Sequence, residues 1–224
     1  MESIVIAIGG SVLFSDEIEE IFFKKLKQLL QNFSEKYRIY LVVGGGKNSR
    51  EQIKQGRKQG LSEEKLDLIG IKVTRENAKV LSDKLNCANK KIPKSTDEAK
   101  NIEEKIVILG GTTPGHSTDM VGAELAEKTH ASRFIIATNV DGVYNKDPNK
   151  FSDAKKYTEV HIDELIQEYG TDWQTAGKNM VIDSPALAII KKAKLKTFVL
   201  NGKNLDELKK AIDNQKFNGT TIKI

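Results

Sequence analysis

Three apolar runs that end in consecutive glycines constrain this chain more than any other feature of its sequence. They lie at residues 3–8, 39–43 and 106–109, and they lead into Gly9-Gly10, Gly44-Gly45-Gly46 and Gly110-Gly111. Short, continuous apolar runs are typical of strands that are buried on both faces of a parallel sheet. The carboxyl ends of parallel strands share one side of a sheet, so the three glycine turns are predicted to meet at one crevice.

The segments between these strands predict an alternating α/β order. Apolar residues recur at helical spacing in residues 17–33, and further helices are predicted at 47–59, 61–85, 120–128, 162–168, 185–194 and 204–214. A break is possible near Gly70. Additional strands are expected at 133–138, 196–200 and 220–224. Turn-forming residues predict an extended excursion over 141–157, and a glycine-containing stretch follows at 169–179. Residues 1–224 are therefore expected to form one α/β domain with a mostly parallel sheet.

Composition excludes several classes of protein. The sequence has no apolar run near the roughly 20 residues that a membrane-spanning helix needs and begins directly with a strand, so a cytoplasmic protein without membrane contact is expected. A single cysteine, Cys87, cannot form an intramolecular disulfide. The three histidines lack metal-ligand spacing, so no metal site built from protein ligands is predicted. The net charge of +5 comes from dispersed lysines, which favours attraction of small polyanions over binding of nucleic acid.

The glycine turns predict phosphate binding. Glycine lets the backbone approach a ligand closely, and backbone N–H groups at strand ends and helix N-termini bind phosphate oxygens. Polar residues that could reach a ligand follow the second and third turns: Lys47, Arg50, Thr113, His116, Ser117, Thr118 and Asp119. Residues 110–117 have the glycine spacing of a P-loop, but His116 stands where the phosphate-binding lysine belongs. No Gly-x-Gly-x-x-Gly opens a helix, so a dinucleotide-binding fingerprint is also missing.

Five sequence blocks resemble the amino-acid-kinase family, and specifically its archaeal uridylate kinases. They are IGGSVL (8–13), VVGGGKNSR (42–50), LIGIKVTRENA (68–78), GGTTPGHSTD (110–119) and TNVDGVYNKDP (138–148). They occur in the family's order, and the resemblance extends to GTTI at 219–222. It implies a three-layer sandwich with an open, mostly parallel sheet between helices. It also implies a kinase that uses ATP with Mg²⁺ to phosphorylate UMP, usually as a homohexamer.

The resemblance also assigns roles to individual residues. Gly9, Gly10, Gly46 and Arg50 are expected at the ATP phosphates, and Asn139, Tyr144 and Asp147 at the adenosine. UMP is expected to contact Gly45 and Asp67 and to be wrapped by Thr113, Pro114, Gly115, His116, Ser117, Thr118 and Asp119. The catalytic candidates are Gly10, Lys47 and Asp119. Among these, Asp119 is expected to organise the cationic groups around the transferring phosphate, although an aspartate here can equally cap a helix.

Two positions depart from the family pattern. Many relatives carry a lysine where this chain has Ala7, and some place another where Asp183 falls. Mg²⁺, backbone amides, Lys47 and Arg50 are therefore expected to stabilise the charge of the transfer.

Two alternatives stay open. Another acceptor on the same fold is the first: isopentenyl phosphate, acetylglutamate, carbamate or fosfomycin. Isopentenyl-phosphate kinases usually carry a histidine after the second glycine turn, whereas this chain has Lys47-Asn48-Ser49-Arg50. A nucleotide- or oxyanion-binding protein without catalysis is the second alternative, and Ala7 keeps it open.

Overall fold

The middle layer of the protein is a mixed β-sheet. The computed structural model describes residues 1–15, 18–148, 150–170 and 181–224. Within these ranges the sheet has seven strands: β1 (Glu2–Ile8), β2 (Tyr37–Val43), β3 (Ile106–Leu109), β4 (Arg133–Thr138), β5 (Glu159–His161), β6 (Thr197–Asn201) and β7 (Gly219–Lys223). Their spatial order is β3-β2-β1-β4-β6-β7-β5.

The chain reverses its direction of travel across the sheet between β1 and β4. From β1 it adds β2 and β3 on one side, and it then crosses to add β4 and β6 on the other side, with all five strands parallel. The strand β7 is antiparallel to β6, and the short β5 pairs in parallel with β7. In open parallel sheets the crevice for ligands lies at the carboxyl ends of the strands where the order reverses. Here that position is occupied by Gly9, whose N–H donates to the carbonyl oxygen of Ala137 at 2.9 Å.

Helices cover both faces of the sheet. They are α1 (Gly10–Leu13), α2 (Glu20–Ser34), α3 (Gly46–Lys58), α4 (Glu63–Leu85), α5 (Thr96–Lys100), α6 (Thr118–Lys128), α7 (Ile162–Tyr169), α8 (Ser184–Lys192) and α9 (Leu205–Ile212). Alternate residues of β1 enter two separate cores: Ile4, Ile6 and Ile8 pack with α2, α4 and α9, while Val5 and Ala7 pack with α6 and α8. The two cores explain why the β1 run is apolar without alternation.

The predicted α/β class, the mostly parallel sheet and the three layers are confirmed. The possible break near Gly70 is wrong, because α4 runs without interruption from Glu63 to Leu85. Gly70 faces α3, where a Cβ atom would lie 3.4 Å from the Cδ1 atom of Ile53. The short elements α1, α5 and β5 were not predicted. Residue 17 of the predicted first helix and residues 171–179 of the glycine-containing stretch lie outside the described residues.

The described ranges contain no helix that is both long enough and apolar enough to cross a membrane.

Candidate active site

The first two glycine turns are in direct backbone contact. A Cβ atom on Gly10 would lie 2.4 Å from the nitrogen of Gly46 and 2.5 Å from the carbonyl oxygen of Gly44, distances that real side chains essentially never show. Gly46 has a φ of +66°, in the left-handed region that favours glycine. The consecutive glycines are therefore required by the close approach of two strand ends, and any side chain at Gly10 would push the turns apart.

The glycine turns line a cavity of about 360 Å³, which we call the glycine-turn cavity. Its walls come from the ends of β1, β2 and β4 and from the first turns of α3 and α6. The residues that line it include Gly9, Gly10, Ser11, Gly44, Gly45, Gly46, Ser49, Arg50, Thr118, Asp119, Thr138, Asn139 and Val181. Helix N-termini present unpaired N–H groups and the positive end of the helix dipole, so this cavity favours anions such as phosphate.

A larger cavity of about 940 Å³ lies between α3, α4 and the loop that follows β3, and we call it the α3–α4 cavity. It shares Gly45, Ser49, Arg50 and Thr118 with the glycine-turn cavity, so the two are contiguous. The carboxylate of Asp67 accepts a hydrogen bond from the N–H of Gly115 at 2.7 Å, and it thereby ties α4 to the loop. The volume is in the range that holds a small-molecule ligand.

A third cavity of about 340 Å³ lies on the other side, and we call it the loop cavity. It is lined by Tyr144, Asp147, Phe151 and other residues of the excursion after β4, together with parts of α7 and α8. Val181 lines both this cavity and the glycine-turn cavity. The three cavities therefore form a series that meets at the glycine turns.

Side-chain contacts hold the excursion beside the loop cavity. Lys156 forms an ion pair with Asp141 at 2.9 Å and also bonds to Asn218, while the hydroxyl of Tyr144 donates to Asp141. Burial opposes ionisation of Asp141, but the hydrogen bonds from Lys156 and Tyr144 outweigh it and lower the pKa of the carboxyl. The hydrogen bond to Asp141, together with burial, raises the pKa of the Tyr144 hydroxyl to about 12.

Two carboxyl groups meet at the edge of the glycine-turn cavity. Asp119 lies in the first turn of α6, and Asp183 caps α8 by accepting a hydrogen bond from the N–H of Ala186 at 2.8 Å. Burial and then the charge of Asp183 raise the pKa of Asp119 to about 8, and burial raises the pKa of Asp183 to about 6. The Oδ2 atom of Asp183 is buried without a hydrogen-bond partner in the described part of the chain. The charge of His116 lowers the pKa of Asp183 but does not offset the effect of its burial.

The first cap of α6 is not Asp119. The Ser117 hydroxyl accepts a hydrogen bond from the N–H of Met120 at 3.0 Å, so Ser117 is the N-cap and Asp119 lies inside the first turn. Next to it, the Nδ1 atom of His116 lies 3.1 Å from a carboxylate oxygen of Glu124. The capping role that an aspartate at this position could have filled belongs to its neighbour, which leaves the Asp119 carboxylate available to the cavity.

Most residues singled out from the sequence lie along the three cavities. Gly9, Gly10, Gly46, Asn139 and Asp119 line the glycine-turn cavity; Asp67, Thr113, Gly115, His116 and Ser117 line the α3–α4 cavity; Gly45, Arg50 and Thr118 line both; Tyr144 and Asp147 line the loop cavity. Neither Lys47 nor Pro114 is among the described residues that line these cavities. Lys47 is exposed on the first turn of α3, and its catalytic role stays a prediction.

Sequence reasoning did not find a group of polar residues on α4. Thr74, Arg75 and Asn77 contact the backbone of the second and third glycine turns, Thr74 from the wall of the α3–α4 cavity and the other two from outside the cavities. The block that contains them was singled out only for its resemblance to a family. No signal within the helix indicated which side chains face the turns. Asp183 was noted as a departure from the family pattern. Its proximity to Asp119 could not be predicted, because the two residues belong to helices that are distant in sequence.

The Ala7 position carries no charge and lies in the core beneath α6. Ala7 is buried on β1, and its Cβ atom lies 3.2 Å from the position that a Cβ on Gly122 of α6 would take. The described residues also contain no group of three or more His, Cys, Asp or Glu side chains that could hold a metal ion by themselves.

Comparison with known proteins identifies a family whose members resemble this chain over most of its length. The amino acid kinase family model matches residues 2–201. The uridylate kinase of Methanobrevibacter smithii is 41% identical over 222 residues, covering 98% of each chain, and that of Methanocaldococcus jannaschii is 44% identical over 210 residues, covering 89% of this chain and 90% of the relative.

A solved structure agrees with the same conclusion. The crystal structure of uridylate kinase from Archaeoglobus fulgidus superposes with a TM-score of 0.86 at 36% identity, covering 99% of this chain and 100% of that chain. The resemblance inferred from the five sequence blocks is thereby confirmed. The glycine turns, the sheet order and the matched length lead to one conclusion: this chain belongs to the amino acid kinase family.

Proposed function

We propose that this protein transfers the γ-phosphoryl group of ATP to UMP and releases UDP and ADP. The observation that carries the proposal is the series of three cavities that meet at the glycine turns. Two nucleotides bound in the outer cavities would bring their phosphates together in the central one. The curated relatives with about 40% identity over almost the whole chain are uridylate kinases, which supports UMP as the acceptor.

The α3–α4 cavity is the proposed UMP site. Its depth and volume suit a nucleoside monophosphate, and Asp67 lies where a carboxylate could accept hydrogen bonds from the ribose hydroxyls. Gly45 and Arg50 line the passage to the glycine turns, where the UMP phosphate would lie. The residues of the loop that follows β3, including Thr113, Gly115 and His116, would enclose the uracil and ribose.

The loop cavity is the proposed adenosine site. Tyr144 and Asp147 line it, and Asn139 lies at the entrance to the glycine-turn cavity. The ATP triphosphate would extend past Val181 towards Gly9, Gly10 and Gly46.

The proposed reaction is a direct, in-line transfer. An oxygen of the UMP phosphate forms a bond to the γ-phosphorus, while the bond from that phosphorus to the oxygen bridging it to the β-phosphate breaks, and ADP leaves with the electron pair. Catalysis of this kind depends on positioning and on stabilising the charge of the equatorial oxygens. Backbone N–H groups of the glycine turns and the Arg50 guanidinium would do both. No covalent intermediate on the enzyme is needed.

The site residues fit Mg²⁺. This ion is usually held by one or two carboxylates together with substrate phosphates and water. Asp119, which lines the cavity, and the neighbouring Asp183 offer two carboxyl groups, and one oxygen of Asp183 has no hydrogen-bond partner among the described residues. When bound with ATP, the ion would supply charge neutralisation at the transferring phosphate. Asp119 would keep the triphosphate in line with the acceptor, and Lys47 could add charge from the rim.

We also propose the wider setting that the resemblance implies. The protein would act in pyrimidine nucleotide biosynthesis in the cytoplasm, without a nucleic acid or membrane partner, and would assemble as a homohexamer. Light scattering coupled to size-exclusion chromatography tests the assembly, and a monomer at micromolar concentration would contradict it.

A coupled assay for ADP tests the activity. Purified protein with ATP and Mg²⁺ is offered UMP, CMP, isopentenyl phosphate, acetylglutamate, carbamate or fosfomycin. We expect the highest kcat/KM with UMP and formation of UDP. If another acceptor is phosphorylated and UMP is not, that acceptor would replace UMP as the proposed substrate. Binding of both nucleotides without any UDP would identify a non-catalytic binding protein. Isolation of a phosphorylated enzyme that forms UDP at the turnover rate would exclude direct transfer.

A further inference from the structure

Asn77 of α4 holds the second glycine turn from behind. Its side-chain Nδ2 atom donates hydrogen bonds to the carbonyl oxygens of Gly44 at 2.9 Å and Gly45 at 3.2 Å. Gly44 and Gly45 line the glycine-turn cavity, whereas Asn77 lines none of the three cavities described above. The side chain therefore reaches the turn from outside the cavities.

Peptide geometry converts these two hydrogen bonds into an orientation of N–H groups. In a planar trans peptide, the carbonyl oxygen of one residue and the N–H of the next point in opposite directions. With the carbonyls of Gly44 and Gly45 turned towards Asn77, the N–H groups of Gly45 and Gly46 point away from it. Neither N–H donates to an acceptor among the described residues. The two donors are thus left for a ligand in the cavity.

Arg75 does the same at the loop after β3. Its Nε atom donates to the carbonyl oxygen of Gly111 at 2.9 Å, and one terminal nitrogen donates to the carbonyl oxygen of Thr112 at 3.1 Å and to that of Lys94 at 3.2 Å. By the same geometry, the N–H groups of Thr112 and Thr113 point away from Arg75. Thr113 lines the α3–α4 cavity, and Arg75 does not.

Thr74 fixes the third turn from a further direction. Its hydroxyl accepts a hydrogen bond from the N–H of Gly111 at 2.8 Å and donates to the carbonyl oxygen of Ile71 at 2.7 Å. The third turn therefore lies against the backbone of α4, and a Cβ on Gly110 would meet the nitrogen of Arg75 at 2.6 Å. One helix thus holds both turns in a single arrangement.

We propose that Arg75 and Asn77 are positioning residues for phosphoryl transfer, which hold four carbonyl oxygens on the α4 side so that N–H groups of both turns face the nucleotides. The inference rests on the proposed function for the identity of the ligands. Neither side chain touches a nucleotide. A carbonyl oxygen turned into the cavity would repel phosphate, so the orientation of these peptides decides whether the cavity attracts or rejects an anion.

The two residues should affect different kinetic constants. Asn77 orients N–H groups where the two substrates meet, so its loss should lower kcat. Arg75 orients the wall of the acceptor cavity, so its loss should raise the KM for UMP and leave the KM for ATP unchanged. A general loss of folding would not separate the constants in this way.

Asn77→Asp is the first test. The substitution keeps the shape of the side chain, removes its two N–H donors and places a carboxylate against two carbonyl oxygens. We expect kcat to fall by about 10²-fold. Asn32→Asp, the same chemical change on an exposed position of α2, is the matched control and should keep wild-type kinetics. An Asn77→Asp protein that melts like wild type and turns over like wild type would overturn the proposal for this residue.

Arg75→Ala provides a second test that does not depend on the first variant folding. Arg75 also lines an open surface groove, so guanidinium added to the assay can reach the vacated position. We expect the KM for UMP to rise about tenfold and to recover in millimolar guanidinium chloride but not in sodium chloride. An unchanged KM for UMP, or recovery in both salts, would overturn the positioning role.

The two proposals can fail separately. If wild-type protein forms no UDP from UMP, the proposed function is wrong, and the same variants are compared by calorimetric titration with inorganic tripolyphosphate. Weaker binding by Asn77→Asp than by Asn32→Asp would still support the orientation of the N–H groups. Equal binding by the two variants would overturn it.

Discussion

The α3–α4 cavity and the loop cavity flank the same glycine turns, but different kinds of contact hold them. Around the α3–α4 cavity, backbone groups of two turns lie against two long helices, and side chains of α4 donate to backbone carbonyls and accept from the N–H of Gly111. Around the loop cavity, the described part of the chain between β4 and β5 forms an isolated bridge between Tyr144 and Lys156 and a few backbone hydrogen bonds, and side chains such as Asp141 and Lys156 bond to one another. The first region is built on packed backbone, whereas the second relies more on side-chain ion pairs.

This difference predicts how each region responds to substitution. Packed backbone cannot adjust to one added atom without moving a strand end or a helix. An ion pair that is partly exposed contributes little to stability, and water can replace part of it. Substitutions around the turns should therefore act on turnover and folding together, whereas substitutions in the excursion should act mainly on the affinity for ATP.

The largest effect is expected for Gly10→Ala. The added Cβ would lie within 2.6 Å of backbone atoms in all three residues of the second turn. We expect a fall in turnover of about 10³-fold and a loss of about 1–3 kcal/mol in the free energy of unfolding. Gly9→Ala is the matched control, since its Cβ would meet its nearest neighbour at 3.7 Å. Urea denaturation of the two variants checks the prediction, and equal stability would show that the turns can separate.

Asp119→Asn lies at the boundary between the two regions. We expect turnover to fall by about 10²-fold, because asparagine cannot ionise when Mg²⁺ and ATP bind and so cannot supply the charge that is proposed to orient the ion and cationic groups at the transferring phosphate. The loss should appear in kcat, measured with both nucleotides saturating. A variant that binds both nucleotides and turns over like wild type would show that Asp119 has only a structural role in the first turn of α6.

Arg50→Lys tests whether the division between the regions is real. Arg50 lines both the glycine-turn and α3–α4 cavities, yet it is predicted to act on ATP. Lysine keeps the charge but loses the planar fork, so we expect kcat/KM for ATP to fall by an amount equivalent to about 1–3 kcal/mol, with UMP binding in the absence of ATP nearly unchanged. Calorimetric titration of UMP and kinetic titration of ATP decide which nucleotide Arg50 contacts. A selective loss of UMP affinity would move Arg50 to the acceptor site.

Although Asp119→Asn should lower turnover, the carboxyl pair predicts that the same substitution raises the stability of the folded protein. Burial and the charge of Asp183 raise the pKa of Asp119 to about 8, while an aspartate in the unfolded chain titrates near pH 4. Between these values the folded protein binds a proton that the unfolded chain does not bind, so this group makes stability fall as pH rises. Asparagine does not titrate, so Asp119→Asn removes this fall in stability with rising pH.

Asp119→Asn should therefore gain stability relative to wild type between pH 5 and pH 8. Each unit of pKa difference corresponds to about 1.4 kcal/mol, and we expect a relative gain of at least about 1 kcal/mol. Urea denaturation in EDTA, without nucleotides, measures it at both pH values. Parallel pH dependence of the two proteins would show that Asp119 is ionised in the folded state across this range.

The smallest effect is expected in the loop region. Lys156→Met removes the ion pair with Asp141 but keeps most of the apolar stem. We expect the KM for ATP to rise by about two- to fivefold, in line with the modest contribution of a partly exposed pair, and the KM for UMP to stay unchanged. Steady-state titration of each substrate measures both constants. A fall in kcat as large as that of Asp119→Asn would contradict the contrast between the regions.

The sequence predicts some features of the site better than others. The strand ends and their glycines follow from local pattern, because each apolar run and its turn are contiguous. Contacts across the molecule do not. Asn77 and Gly44 are 33 residues apart, and Arg75 and Gly111 are 36 apart, so no periodicity within α4 could pair them. The three residues of β5 are too few to show alternation, and their pairing with β7 depends on the rest of the sheet.

Residue type alone also does not show which side chain reaches the site. Lys47 and Arg50 are both basic and both follow the second turn, yet of the two only Arg50 lines the cavities. The roles of Asp67, Tyr144 and Asp147 came from resemblance to a family, and the structure places these residues along the cavities without a nucleotide to test them.

The hydroxyl of Thr220 joins β7 to the excursion. It accepts a hydrogen bond from the N–H of Val143 and donates to the carbonyl oxygen of Tyr157, across separations of 77 and 63 residues. During synthesis on the ribosome, the glycine turns and α4 emerge long before this strand. A nascent chain could therefore complete the wall around its proposed acceptor while the wall around its proposed phosphate donor still waits for β7.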